Sequence, residues 1–473
     1  MARTAAGNGR RGESPSARRF GRDPTRRTAL DVLLAVAERD AYANLLLPRL
    51  LAQRRLAGRD AALATELSYG TLRGRGTYDA ILGVCTDRDL DSLDPVVREV
   101  LRLGAHQLLA TRIQPHAAVA TSVSLVKEVA GPRPAGLVNA VLRRVATRDL
   151  TGWLEIVAPL RDADPVGYLA VRHSHPRWVV EVLSTALGEA VGGGLVQTEA
   201  MLAADNERPV VHLCAPPGLA SPEELTAAGA RPARWSPFGA YLAEGDPAAV
   251  RAVAEGRAGV QDEGSQLAAL ALTRVPVTGS DTSWLDVCAG PGGKSRLLAG
   301  LAAGSGGTLV AAEIREQRAR LVAAAVARTG SCRVVVADST RPGWRRDRFD
   351  RVIADVPCSG LGALRRRPEA RWRRSPGDVT ALGGLQRDLL GAALDATRPG
   401  GVVGYITCSP HVAETRDVVA DVLARRADAS VLDAAAALPD VPDIRCGPAG
   451  QYVQFWPHRH GTDAIFLALL RRH

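Results

Sequence analysis

The chain is short of lysine, short of aromatic residues and without long apolar runs, and each shortage closes off a class of protein. Among 60 lysines and arginines only Lys127 and Lys294 are lysine, so the net charge of +10 is carried by arginine. Aromatics make up 4% of the residues, which leaves Ala, Val and Leu to fill the interior of a chain that is 46% apolar and of ordinary globular composition. No stretch approaches the roughly 18 apolar residues of a membrane span. The first 22 residues, rich in Arg, Gly and Ser, lack the apolar segment of a signal peptide and read as a disordered basic arm. A cytoplasmic protein with no membrane attachment is expected. Seven cysteines fall at 85, 214, 288, 332, 358, 408 and 446, without a CxxC pair or Cys/His ligand spacing. Neither a disulfide framework nor a zinc site is indicated, and no metal is expected. The lack of an internal repeat removes solenoids and propellers.

What is present suggests about three domains, because 473 residues exceed a single core. A pI of about 9.7 favours a polyanionic partner through counterion release. After the arm at 1–22, apolar positions recur at helical spacing, as in Ala29, Val32, Leu33 and Val36 and again Val97, Val100, Leu101 and Leu103. They predict an all-helical domain over 23–150, with Arg143 and Arg144 suited to a helix C-terminus. After a loosely patterned stretch, residues 166–275 mix short helices with strands such as Pro209–Cys214 and read as a small α+β module. Residues 276–473 alternate strand and helix: Trp284–Val287, Gly307–Glu313, Cys332–Asp338, Phe349–Asp355 and Gly401–Thr407, with helical segments at Gln317–Arg328 and Ala381–Thr397 between them. That alternation predicts a Rossmann-like α/β domain, a doubly wound parallel sheet with ligands at the carboxyl ends of its strands. A monomer is the default expectation.

The first strand runs into Cys288-Ala-Gly-Pro-Gly-Gly-Lys-Ser295. A glycine turn between strand and helix lets backbone approach a ligand and points N–H groups at an anion. A P-loop would need Gly at 288 and a dinucleotide fingerprint starting at Gly290 would need Gly or Ala at 295; Cys and Ser stand there. Glu313 ends the next strand, where a carboxylate can accept both ribose hydroxyls of a nucleoside, and Asp338 ends the third.

Asp355-Val-Pro-Cys358-Ser-Gly360 closes the fourth strand and Thr407-Cys408-Ser-Pro410 the fifth. A doubly wound sheet brings both cysteines to one cleft. Carbon 5 of cytosine is a poor nucleophile, but a thiolate adding at carbon 6 makes an enamine able to attack a methyl sulfonium. The proton on carbon 5 must then be removed, by a second cysteine or a water. A carboxylic acid at Asp355, bonded to N3, would neutralise charge developing in the ring. Either cysteine alone could be a small buried apolar residue; the pair points to chemistry.

These residues resemble the RNA cytosine-5 methyltransferase family, and within it the bacterial branch that acts on small-subunit (16S) ribosomal RNA, known as RsmB, Sun or Fmu. The resemblance runs from about residue 25 to the C-terminus and rests on six pieces. They are Gln261-Asp-Glu-Gly-Ser-Gln266, Asp286-Val-Cys-Ala-Gly-Pro-Gly-Gly-Lys294, Asp355-Val-Pro-Cys-Ser-Gly360, Arg367-Pro-Glu-Ala-Arg-Trp372, Tyr405-Ile-Thr-Cys-Ser-Pro410 and Trp456-Pro-His-Arg-His-Gly-Thr-Asp463. The resemblance implies S-adenosylmethionine as cofactor, Cys408 as nucleophile and Cys358 as the cysteine needed for product release. It further implies cofactor contacts at Cys288, Ala289, Gly290, Pro291, Gly292, Gly293, Lys294, Glu313, Asp338 and Asp355. The N-terminal domain is similar to the antitermination factor NusB, an RNA-binding helical bundle, and the middle module to the family's RNA-contacting subdomain. Two departures are small: Ala-Gly-Pro stands where Ala-Ala-Pro is usual, and Asp-Val-Pro-Cys where Asp-Ala-Pro-Cys is usual.

Between Arg365 and Arg374 six of ten residues are arginine. Arg365, Arg366, Arg367, Arg371, Arg373 and Arg374 are expected to hold RNA phosphates, with Trp372 as a stacking face for an unpaired base. The target cytosine is expected to leave its stack. His458, His460 and Asp463 lack further ligands at metal spacing and read as a hydrogen-bonded turn. Two other functions compete: a non-catalytic RNA-binding or antitermination protein, against which the intact cysteine pair argues, and the same chemistry on transfer RNA.

Overall fold

A computed structural model describes residues 23–189 and 195–473; the arm expected at 1–22 lies outside the described residues. They form two compact units, one running to His175 and including Arg367–Glu369, the other comprising Pro176–Arg366 and Ala370–His473.

Asp-Pro pairs set the helix starts of the first unit. Asp23, Asp94 and Asp164 accept from the N–H groups of Arg26 (3.0 Å), Val96 (2.8 Å) and Gly167 (3.0 Å). The proline that follows each has the φ that a first helical position needs. Helices span Pro24–Arg39, Ala43–Gln53, Gly58–Cys85, Pro95–Ala110, Pro115–Ala130, Ala135–Val145, Leu150–Val157 and Pro165–Arg172. The helical pattern expected up to Arg148 therefore continues through a stretch that had looked loosely patterned. The core is aliphatic: Leu30, Leu33, Leu67, Ile81, Leu82, Leu101, Leu103 and Leu142 are buried together. Arg144, in the last turn of its helix, donates to the carbonyl of Cys85 (3.2 Å) and so caps the long helix.

The second unit holds two sheets. Strands β1 (Val211–Cys214), β2 (Arg231–Pro232), β3 (Gly239–Leu242) and β4 (Gly259–Val260) make a small antiparallel sheet in the order β2-β3-β1-β4. The larger sheet contains β5 (Ser283–Asp286), β6 (Thr308–Glu313), β7 (Cys332–Val336), β8 (Phe349–Asp355), β9 (Thr397–Thr407), β10 (Ala429–Leu432), β11 (Arg445–Cys446), β12 (Tyr452–Gln454) and β13 (Phe466–Arg472). Its order is β11-β12-β13-β9-β8-β5-β6-β7, with β10 paired to β13.

Strands β5 to β9 are parallel, as expected, whereas β13 lies antiparallel to β9 and carries β10 and β12 antiparallel in turn. The sheet is thus mixed on its C-terminal side, as open α/β sheets allow. Alternate residues of β9 serve opposite faces. Val402 and Ile406 pack with the helices Glu263–Arg274 and Gly293–Gly304, and Val403 and Tyr405 with Pro376–Ala396 and Arg416–Leu423. The chain leaves β5 for β6 and β7, then returns to β8 on β5's other side, which makes the carboxyl ends of β5 and its neighbours a topological switch point. Among the described residues no helix is long and apolar enough to cross a membrane.

Candidate active site

Asp286, the last residue of β5, holds the glycine loop at both ends. Its carboxylate accepts from the N–H of Cys288 (3.1 Å) and from the Ser295 hydroxyl (2.7 Å), and burial pushes the carboxyl up to about 7. Glycine is a close fit at 290, where an added Cβ would stand 2.2 Å from Glu313 Oε2, the movable end of a side chain. It is required at 292 for conformation, since φ is +104°. Glu313, at the end of β6 and 5% exposed, accepts from the Arg315 N–H (3.0 Å) and lies 3.5 Å from the Arg318 guanidinium. Arg318 in turn donates to the Gly290 carbonyl (2.6 Å). Strand β7 stops at Val336, so Asp338 sits in the exposed turn beyond it, where Thr340 donates to its carboxylate through N–H (2.9 Å) and hydroxyl (2.7 Å).

Lys294, next in the loop, reaches Asp355 at the end of β8 (2.8 Å). Burial would lower the Lys294 ammonium, but Asp355 outweighs it and holds its pKa above the ordinary value.

The two cysteines meet because β8 and β9 are parallel neighbours in register, Asp355 opposite Ile406. Their loops leave the sheet side by side, and the Cys358 and Cys408 sulfurs lie 3.3 Å apart. The Gly362 N–H donates to the Cys408 carbonyl (2.9 Å), and a Cβ on Gly362 would fall 2.0 Å from the Ala464 carbonyl oxygen, so the loops can close on one another only around glycine.

The charges behind the sulfurs differ. The Cys358 thiol, hydrogen-bonded to Cys408, buried and beside Glu414, is held well above the ordinary thiol value. The Cys408 thiol is held below it, by the hydrogen bond from Cys358 and by the Lys294 ammonium, against burial and the carboxylates of Asp355 and Asp463. Burial raises the other five: Cys214, Cys332 and Cys446 go up to about 12, and Cys85 and Cys288 move the same way. Among the seven cysteines, all within the described residues, Cys408 is the one whose thiol is held below the ordinary value.

Glu414 was not singled out in the sequence. It is fully buried and accepts from the Ser359 N–H (2.7 Å), the Ser359 hydroxyl (2.5 Å) and Gln386 Nε2 (3.2 Å), while Ser359 Oγ also meets Ser409 Oγ (3.1 Å). One carboxylate thus links the residues that follow both cysteines. Gln261 was quoted only as part of a motif. Its side chain packs beside Gly293, buried, with neither amide atom hydrogen-bonded.

The arginine run is not the uniform phosphate-binding surface expected. Arg371 is fully buried and donates to Asn206 Oδ1 (2.7 Å) and the Asp205 carbonyl (2.8 Å). Arg365, also buried, donates to the Gly461 carbonyl (2.7 Å), and Arg366 is paired with buried Asp463 (2.9 and 3.0 Å from Nε). Each of these three turns donors to protein acceptors, Arg365 through one terminal nitrogen, Arg366 through Nε and Arg371 through both terminal nitrogens. Arg367 belongs to the helical unit, its guanidinium over the Tyr42 ring. Trp372, Arg373 and Arg374 are partly exposed, and Arg374 donates to the Ser359 carbonyl (3.2 Å) beside Cys358. Asp463 therefore serves Arg366, whereas His460 makes a local turn, accepting from the Trp456 N–H (2.9 Å). Among the described residues no group of three or more His, Cys, Asp or Glu is placed to hold a metal.

Comparison with known proteins adds to this geometry. Residues 275–471 match the family described as 16S rRNA methyltransferase RsmB/F, and residues 23–147 match the NusB family. A Mycobacterium tuberculosis protein designated a methyltransferase is 51% identical over 95% of this chain and 97% of its own. Ribosomal RNA small subunit methyltransferase B of Pseudomonas syringae pv. tomato is 33% identical, over 94% of this chain and 96% of its own. The crystal structure of PH0851 shares the fold with a TM-score of 0.76 at 21% identity, covering 96% of this chain and 99% of that one.

Proposed function

Because the chain belongs to the RsmB/F family of 16S rRNA methyltransferases, and is thereby an RNA methyltransferase, we propose that it methylates carbon 5 of a cytosine in small-subunit ribosomal RNA, using S-adenosylmethionine and a covalent Cys408 adduct. One observation carries this reading: two thiols 3.3 Å apart, unequal in acidity, beside a lysine–carboxylate pair at the end of a glycine loop.

The residues present fit a nucleoside-bearing donor. Gly290 leaves room for the Glu313 carboxylate, which would take the ribose hydroxyls; Cys288 to Lys294 would surround the donor's centre and Asp338 its base. Bound there, S-adenosylmethionine supplies an electrophilic methyl group. Cys408, as thiolate, bonds to carbon 6 of the ring, and the displaced π-electron pair makes carbon 5 the nucleophile. Negative charge then reaches N3, which can take a proton that passes from the Lys294 ammonium through the Asp355 carboxylate it contacts. After transfer, Cys358, once its own proton has passed to water, or a water that it orders takes the proton from carbon 5; the electron pair returns to the ring and expels the Cys408 sulfur as thiolate, and N3 gives back its proton.

Chemistry at a base edge requires an unstacked cytosine. Trp372, Arg373 and Arg374, which are partly exposed, would receive it and its phosphates, with the helical unit and the small sheet as further RNA contacts. Bisulfite sequencing of total RNA from a deletion strain tests the reading: one cytosine in small-subunit rRNA should lose its methyl group. Loss in a transfer RNA instead would overturn the substrate, and no loss at all would overturn the catalytic reading.

A further inference from the structure

Gln261 follows β4 and immediately precedes Asp262, which caps the helix Glu263–Arg274. Its backbone is fixed from both sides: the N–H donates to the His212 carbonyl (3.0 Å) and the carbonyl accepts from Gln266 Nε2 (2.9 Å). The residue is 7% exposed, yet neither Oε1 nor Nε2 has a hydrogen-bond partner. Buried polar groups in native proteins are nearly always paired, so an amide unmet at both ends points to a ligand.

Its position says which end of the ligand. Cδ and Oε1 of Gln261 lie 3.7 and 3.9 Å from where a Cβ on Gly293 would stand, and Gly293 opens the twelve-residue helix Gly293–Gly304. The first N–H groups of a helix have no partners within it, and its positive pole favours an anion. Beside that pole an amide offers one donor face and one acceptor face. An α-amino acid presents the complement, a carboxylate and an ammonium on one carbon. Glu313 at the other side of the glycine loop offers only acceptors and suits the ribose, so the two ends of the loop divide the donor between them.

We propose that Gln261, together with the N-terminus of Gly293–Gly304, binds the amino-acid end of S-adenosylmethionine: Nε2–H and the helix N–H groups donate to its carboxylate, and Oε1 accepts from its ammonium. The proposal rests on the use of that donor. Titration calorimetry on the full chain tests it with two probes, S-adenosylhomocysteine, which keeps the amino-acid end, and 5′-methylthioadenosine, which lacks it. Gln261→Ala should weaken S-adenosylhomocysteine about 10- to 100-fold, the range for hydrogen bonds to charged groups, and leave methylthioadenosine unchanged. Gln261→Glu, which sets a carboxylate against the ligand's own, should lose at least as much with the same selectivity. Equal weakening of both probes, or of neither, would overturn the assignment, as would a loss confined to RNA binding, which would give the amide to the base. If the unaltered protein binds neither probe, the donor itself is wrong and the assignment falls with it.

Discussion

The loops carrying Cys358 and Cys408 end neighbouring parallel strands and touch through their sulfurs, yet the two thiols are held on opposite sides of the ordinary thiol value. Behind Cys358 lies the Glu414 carboxylate, buried and held by Ser359 and Gln386; Cys408 takes the hydrogen bond from Cys358 and has the Lys294 ammonium beside it, against burial and the carboxylates of Asp355 and Asp463. Two thiols at one site need different protonation states if one is to attack and the other to finish the reaction. The comparison teaches that two identical side chains are divided first by the hydrogen bond between them, Cys358 giving and Cys408 taking, and then by the charges around each.

Removing the sulfurs one at a time gives the largest contrast. Cys408→Ala should lower single-turnover methylation of rRNA by a factor on the order of 10⁴ or more, as loss of a nucleophile does. Cys358→Ala should keep a first turnover, slowed by loss of the hydrogen bond that lowers the Cys408 thiol, and lose the following ones. Equal loss of the first turnover in both variants, measured by labelled methyl transfer after rapid mixing, would erase the distinction.

Lys294→Gln removes the cation on the Cys408 side. A thiol held below its ordinary value loses its thiolate as pH falls through that lowered pKa, so the acid limb of the rate profile belongs to Cys408. Without the ammonium the limb should move to higher pH, and a shift of one pH unit would slow the reaction about tenfold near neutrality. An unmoved limb would mean that the lysine does not set the thiolate. The smallest change is Glu414→Gln, which keeps one acceptor oxygen for the Ser359 N–H, offers the Ser359 hydroxyl an N–H in place of the other, and removes the charge behind Cys358. The Cys358 thiol should then ionise at lower pH, read as faster alkylation by iodoacetamide at neutral pH with a loss of rate of about threefold to tenfold. Alkylation at Cys358 that does not respond to the substitution would show that the carboxylate does not hold it protonated.

Much of this site could be read from the chain because its parts are local. A strand, a glycine turn and a helix follow each other within Trp284–Ser295, and each chemical residue sits at or just past a strand end that its own pattern marks. What escaped depends on distant partners. Glu414 looks like any helix-start acid until the register of β8 and β9 brings Ser359 to it. Arg371 sits in a run that composition marks as surface, but Asn206 and Asp205 draw it inside. The helices beyond Arg148 carried legible signals in the caps Asp149 and Asp164, outweighed by a stretch with little periodicity. The antiparallel strands β11 and β12 are too short for alternation to show.

The assignment of the two sulfurs is tested most directly by looking for the bond itself. Each cysteine is replaced by serine, the protein is incubated with small-subunit rRNA and S-adenosylmethionine, and the mixture is run on a denaturing gel. Cys358→Ser should give a protein–RNA complex that survives denaturation, because the Cys408 adduct forms and is not released; Cys408→Ser should give none. A stable complex with Cys408→Ser, and none with Cys358→Ser, would contradict the assignment and exchange the roles of the two residues.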